Sequence, residues 1–387
     1  LFAGCEDFLT PEPKTFISPE NYFKTPGHME QAVTAVYVRA RNMITDTDWR
    51  EIADLRGDLA TLQFNVNIPG FTFQIDEFSE ATNDGTIGDH YNRTFSTVFD
   101  ANVVLTRIEA VEFTDEAQRE RIRAEALFGR SLAYWYAIQL WGLAESWEPE
   151  NLAVPLILQE ITHPDEAFLL ERATVQQVFD QIVQDLTQAK QHLPEVATGG
   201  NAGRFTRGAA AFLLGATYQL DPSQASQQAA LAEFEELEAL GYGLVTTGTP
   251  ASGGNAYREI FNPSNKNNIE SILEFQFDVG MDDGSLRQNL VPGLAPLNSA
   301  GGGNAGNPER VSVYGAGGEG DFNPTQNHIL SFAGADPAGP EMPFDLRYEG
   351  GYGEFCPDNG VSGRLGDVPD VLRESGDATI RNPNTSY

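Results

Sequence analysis

One segment limits the fold more than any other: TDEAQRERIRAEALFGRSLAYWYAIQLWG, residues 114–142. Thr114 or Asp115 supplies a side-chain acceptor at its start, and Gly142 is a natural stop at its end. Between them Ile122, Ala126, Leu127, Leu132, Trp135, Tyr136 and Ile138 recur at helical spacing and form one apolar stripe, with Trp135 in the core. A helix of this kind is stabilised mainly by covering its stripe. Its neighbours in sequence supply the cover. Thr25-Pro26 pairs a cap with a proline at the first helical position, and Ala32, Val33, Val36, Tyr37 and Ala40 follow on one face. A second helix is expected from near His90, carrying Tyr91, Phe95, Val98, Phe99, Asn102, Val103 and Ile108. Over 174–192, Val175, Val178, Phe179, Ile182, Val183, Leu186 and Ala189 lie on one side, with Asp, Gln and Lys opposite. Two more helices are expected over 206–220 and 223–240. The first of them holds Gly208, Ala209, Ala210, Ala211, Gly215 and Ala216, small residues that let a neighbour approach closely.

The result is a mostly α fold of tetratricopeptide-like helical pairs over 26–240, without a strict repeat period. After 241 the character changes. Gly, Asn, Ser and Pro dominate in SGGNAY, NPSNKNN, LNSAGGGNAGNP and YGAGGEGDFNP, interrupted by one strand-like run, Ser271–Phe277. Residues 241–387 therefore read as a loop-rich, irregular second half, built of ordered long loops of the kind that carry binding function.

Charge and motifs then exclude whole classes of function. Lys and Arg number 24 against 56 Asp and Glu, a net charge of −32, so a phosphate backbone would be repelled and no nucleic-acid partner is expected. Cys5 and Cys356 and five scattered histidines give no metal-ligand spacing, and Asp46/Asp48 and Asp282-Asp283-Gly284 fall short of a calcium loop. No phosphate-binding loop or nucleophile elbow is present, so neither a cofactor nor catalysis is expected. No run approaches the roughly 20 apolar residues of a membrane helix.

Several phrases, taken in order, resemble the SusD/RagB family of outer-membrane nutrient-binding lipoproteins. CEDFL…SPENYFKTPGHMEQAVTAVY resembles its opening and first long helix, and HYNRTFSTVFDANVVLTRI its helix with an Asn-x-Val/Ile step. RAEALFGRSLAYWYAIQLWG followed by VPLIL resembles its Ala-Glu-Ala-x-x-x-Arg-Ala helix and Val-Pro-Leu strand. TVQQVFDQIVQDLTQAKQHLP, GRFTRGAAAFLLGATYQL and NNIESILEFQF resemble the two helices and the strand that follow. The resemblance implies a SusD-like fold and a lid on a SusC-like TonB-dependent transporter. It also implies an oligosaccharide ligand, or in some branches a peptide. Leu1-Phe2-Ala3-Gly4-Cys5 resembles the end of a lipoprotein signal, which implies lipidation of Cys5 and anchoring in the outer membrane at the cell surface. Residues 1–25 then read as a signal remnant and extended tether. The family usually closes with a Pro-x-x-Arg-Tyr segment and a helical stretch. Asp367–Arg373 begins such a segment, so the sequence reads as a fragment lacking its C-terminal part.

Sugar capture asks for flat aromatic faces and hydrogen-bonding groups at a rim, with no nucleophile and no shifted pKa. Phe71–Asn92 offers that mixture: Phe78 and Tyr91 as aromatics, Asp76, Asn83, Asp84 and Asn92 as polar partners. Asn83-Asp84-Gly85 is also a turn, Phe71 and Phe73 fit a short core strand, and Tyr91 serves equally as core. Trp49 with Arg50, in the polar break TDTDWRE, is a second candidate, and Trp147, in ESWEPEN, a third. A lone loop Trp more often pins its loop to the body. Tyr257, Arg287, Tyr314 and Phe322 are further contributors that the sequence does not rank. The competing readings are an oligopeptide-binding lipoprotein of the same family, a helical-repeat scaffold for protein partners, and a glycoside hydrolase with paired carboxylates.

Overall fold

The computed structural model describes residues 22–45, 56, 60–62, 74–75, 77–79, 81, 84–143, 146–250, 254–260, 262, 264–276 and 322–324. The chain divides into two compact units, Leu1–Arg41 with Arg93–Leu240, and Asn42–Asn92 with Gly241–Tyr387. The described residues are mostly helical. Helices run over α1 Pro26–Thr45, α2 Gly85–Arg107, α3 Glu116–Trp141, the short α4 Pro164–Ala167, α5 Val175–His192, α6 Arg207–Tyr218, α7 Gln224–Ala239 and the short α8 Ala256–Ile260. Four short strands, β1 Ala60–Leu62, β2 Leu152–Pro155, β3 Arg172–Thr174 and β4 Phe322–Pro324, form two antiparallel ribbons, β1 with β4 and β2 with β3.

In the first unit the cap expected at Thr114 or Asp115 falls on Asp115. Asp115 accepts the N–H groups of Ala117 and Gln118 at the start of α3. Thr174 and Gln177 form a reciprocal capping box on α5, while Thr206 and Ser223 cap α6 and α7. The expected start of α2 near His90 is corrected to Gly85, because the Asp84 carboxylate accepts from the N–H groups of Thr86 and Ile87 and fixes the first turn earlier. The α2 stripe is corrected too. Val98, Asn102 and Ile108 are buried together with Ala101 and Val104, whereas Phe99 is exposed. Trp135 is half-buried instead of core, edge-on to Tyr136.

Met29, Val33 and Val36 of α1, Ala101 and Val104 of α2, and Ile122 and Ala126 of α3 share one cluster with Ile108 and Val111. Small residues set the spacing. A side chain at Gly215 would bring its Cβ to 2.6 Å from the Phe234 ring, so α6 and α7 approach only because that position is bare.

A buried polar network joins the helices. Arg130 on α3 holds Asp185 on α5 through two parallel hydrogen bonds of 2.7 and 2.9 Å, and donates to Asn102 on α2 at 2.8 Å. Asn102 donates to the Ile157 carbonyl, and the Tyr134 hydroxyl meets both the N–H and the carbonyl of Ile157. Asp185, expected on the polar side of its helix, is therefore buried as the partner of a buried cation. A second set lies one to two turns nearer the start of α3. Glu125, fully buried, is held by Arg121 and Arg204, which also engage Glu30. Burial nevertheless pushes the Glu125 carboxyl above its usual range. Burial also acts on Glu30, but Gln118, Arg121 and Arg204 outweigh it and bring that carboxyl down.

Among the described residues of the second unit, side chains tie the loops together. Buried Glu259 accepts from the Thr249 N–H at 2.8 Å, the Thr249 hydroxyl at 2.6 Å and the Asn262 amide at 3.0 Å. Glu270 takes the Val245 N–H, and Glu274 takes the N–H of Asn267. The strand-like run is corrected: its described part, 271–276, is irregular, because Glu274 and Gln276 fold back on Asn267 instead of facing a paired strand.

Candidate functional site

In the second unit Gln74 and Ile75 form a helical turn that ends in a Schellman pattern. The Ser79 N–H reaches the Gln74 carbonyl at 2.8 Å and the Phe78 N–H reaches the Ile75 carbonyl at 3.3 Å. Phe78 sits where glycine is usual, with φ 54°. A left-handed conformation costs a residue with a Cβ roughly 1–2 kcal/mol. The strain holds an apolar ring out in water, since Phe78 is 64% exposed. The Arg56 guanidinium stands 5.5 Å from the ring centroid, which stiffens the ring by a cation–π contact and leaves its other face as a flat platform. Burial lowers the Arg56 pKa, though the group remains a cation at neutral pH.

The chain passes from this platform into α2. Asp84, half-buried, is committed to capping that helix. Gly85, Gly88, Asp89 and Asn92 fall on its exposed side, and a Cβ placed on Gly85 or Gly88 would meet nothing described within 4 Å. That side offers open surface with a carboxylate and an amide on it. Tyr91 is half-buried beside it. Thus the structure gives Phe78 and Asn92 exposed faces and makes Asp84 a cap. Trp49, Arg50, Asp76 and Asn83 lie outside the described residues, as do Cys5, Arg287 and Tyr314. Trp147 belongs to the first unit, half-buried with its indole edge-on to Phe179 at 5.1 Å, the geometry of a ring that pins its loop. Sequence reasoning missed Arg56. Its distance in sequence from Phe78 leaves no local signal of the pairing.

His90 anchors the start of α2. It is fully buried, and burial pushes its pKa down to about 4. The neutral imidazole is therefore the folded form, while the unfolded chain takes up its proton near pH 6.5. Stability from this group is complete above pH 6.5 and is lost as pH falls toward about 4, a total of about 3 kcal/mol. In acid denaturation followed by circular dichroism, His90→Gln is expected to flatten the stability curve between those pH values. An acid limb identical to that of the parent contradicts this role.

Among the described residues no group of His, Cys, Asp and Glu could hold a metal ion, and no helix is long and apolar enough to cross a membrane. Residues 12–218 match a family described as starch-binding, associating with the outer membrane. The SusD-like protein P25 of Formosa agariphila is 25% identical over 280 residues, 71% of this chain and 49% of that one. A SusD-like protein from Bacteroides fragilis superposes with a TM-score of 0.63 at 21% identity, covering 85% of this chain and 55% of the other. A laminarin-binding SusD-like protein superposes with a TM-score of 0.52 at 26% identity, covering 65% and 51%. The chain spans between about a third and a half of the length of the curated relatives it matches first.

Proposed function

The chain belongs to the SusD-like family, a starch-binding family associated with the outer membrane, and on that premise we propose that it captures oligosaccharides at the cell surface and delivers them, chemically unchanged, to a SusC-like TonB-dependent transporter. The observation that carries the reading is Phe78. An exposed ring in a strained backbone, backed by a guanidinium, gives the protein nothing as core, and strain of this kind clusters at ligand clamps. A sugar's C–H face lies on such a ring, while its hydroxyls reach amides and carboxylates, here the exposed Asn92 and Asp89 of the adjoining helix. Trp49, Arg50, Asp76, Asn83 and Tyr91 complete the proposed binding face. The laminarin-binding relative supports a glycan over a peptide. Attachment is proposed through acylated Cys5, where several chains at about 0.8 kcal/mol per buried CH₂ give lasting anchorage.

Affinity electrophoresis of the purified protein against a panel of polysaccharides, beside titration with mixed oligopeptides, tests the reading. A glycan is expected to bind and to emerge at unchanged length. Binding confined to peptides, or shortened glycan products, contradicts it. Gentle detergent extraction of outer membranes is expected to bring a transporter barrel down with the protein, and its consistent absence removes the delivery step.

A further inference from the structure

We propose that Phe168 and Leu169 form a docking knuckle that seats in an apolar, basic-rimmed recess of the transporter. The inference rests on the delivery reading above and adds where the two proteins meet. Both residues lie in the first unit, on the excursion that leaves after β2 and returns at β3. Phe168 is 86% exposed and Leu169 80%, with Leu158 and Leu170 also at the surface. A single apolar side chain in water is ordinary, but two bulky neighbours held out together mark a binding surface. Hydrogen bonds shape the loop that carries them. Arg107 of α2 grips Glu160 at 2.6 and 2.8 Å, near the root of the loop. The Glu166 carboxylate accepts from the Thr162 hydroxyl at 3.0 Å, and the Glu166 carbonyl takes the Leu169 N–H at 3.2 Å. The His163 ring accepts the Asp165 N–H at the start of α4, and the Phe168 N–H closes on the Asp165 carbonyl. With its backbone already ordered, the loop can bury both side chains against a partner at little further cost in entropy.

Charge decides what the knuckle fits. From 156 to 171 the sequence has no lysine or arginine. Asp165, Glu166 and Glu171 flank the knuckle in sequence, and all three are exposed. Arg172 is the exposed cation that follows, and its guanidinium donates to the carbonyls of Leu152 and Ala153. Three exposed carboxylates against one guanidinium leave the rim negative. A second copy of the chain would set the same carboxylates against each other, and the net charge of −32 on each copy adds to that repulsion. An anionic lipid surface meets the same carboxylates and is repelled as well. A different protein, with lysine or arginine at the mouth of an apolar recess, suffers neither penalty. Such a contact has the anatomy of a hot spot, with an aromatic and an aliphatic anchor at the centre and charges at the rim. The transporter is the protein on which this chain is proposed to sit, so the recess is assigned to it.

The test uses the full chain in outer membranes of cells that make it. With p-benzoylphenylalanine in place of Phe168, irradiation is expected to join the chain to the transporter barrel. Mass spectrometry of the adduct is expected to place the link among apolar residues with lysine or arginine beside them. The double variant F168S/L169S changes only exposed side chains, so its unfolding temperature and glycan affinity are expected to match the parent. Its recovery of the barrel on gentle detergent extraction is expected to fall about tenfold. The variant D165N/E171Q is expected to recover less barrel than the parent at low salt and the same amount at high salt, where rim attraction is screened. A link to lipid, to a second copy or to any other protein overturns the proposal, as does undiminished recovery with F168S/L169S. Delivery still stands in those cases if the parent recovers the barrel. If the parent recovers none, the delivery reading falls and this inference falls with it.

Discussion

Arg130→Ala is expected to cost the protein about 3–5 kcal/mol, the loss typical of removing one partner from a buried ion pair. The deletion strands more than a contact. Asp185 is left in a site 2% exposed, with Gln181 alone among the described residues still donating to it. Asn102 and the Leu158 carbonyl lose donors as well, so α2, α3, α5 and the segment after β2 lose the group they share. A loss of this size consumes much of the 5–15 kcal/mol that holds an ordinary domain together. Urea denaturation measures it. Two further variants separate charge from packing. Asp185→Ala alone is expected to be as damaging, since it leaves the guanidinium buried and unpaired. The double variant R130M/D185L removes both charges and is expected to be milder than either single. A double variant that loses as much as the two singles together places the effect in packing instead.

Phe205→Ala is the second large loss, again about 3–5 kcal/mol. Phe205 is fully buried, stacks on Tyr37 of α1 at 4.1 Å and lies tilted against Phe128 of α3 at 4.3 Å. Its N–H donates to the Tyr37 hydroxyl at 2.9 Å, and Thr206, the next residue, caps α6. The ring is thus the plug through which the start of α6 is fixed to α1 and α3. Truncation leaves a cavity bounded by two aromatic rings that cannot collapse into it without moving helices. Phe205→Leu refills most of that volume and is expected to lose roughly 1–1.5 kcal/mol. Thermal unfolding of the pair is the check, and equal losses for Ala and Leu would show that the stacked ring, rather than the filled volume, carries the stability.

These two residues also show how far the sequence reaches. The helices were legible because caps and stripes are local. Thr174 with Gln177, Asp115 and Ser223 act within one turn, and the apolar spacing of α5 names its buried face directly. Asp185 was not legible. On periodicity it is one more polar residue, and only the position of Arg130, on a different helix, makes its burial favourable. Phe205 lies in a loop, where no period marks a core residue. The strand-like run 271–276 failed for a related reason: alternation is a local signal, but pairing needs a partner strand, and there Glu274 satisfies a loop N–H. At the candidate site the aromatics and amides were visible as types. Which of them face outward was not, because exposure at Phe78 comes from a left-handed backbone that the sequence does not announce at a phenylalanine.

Capture at this face depends on that ring. Phe78→Asn is the suitable change, because asparagine tolerates the left-handed backbone and the cap hydrogen bonds remain. The measurement is the affinity of the parent and of this variant for the best glycan from the panel, with thermal unfolding run on both. Loss of one stacking ring, worth on the order of 1–2 kcal/mol, is expected to weaken binding by about tenfold or more while the unfolding temperature stays level or rises. Unchanged affinity in a variant that melts like the parent would contradict a capture face built on Phe78.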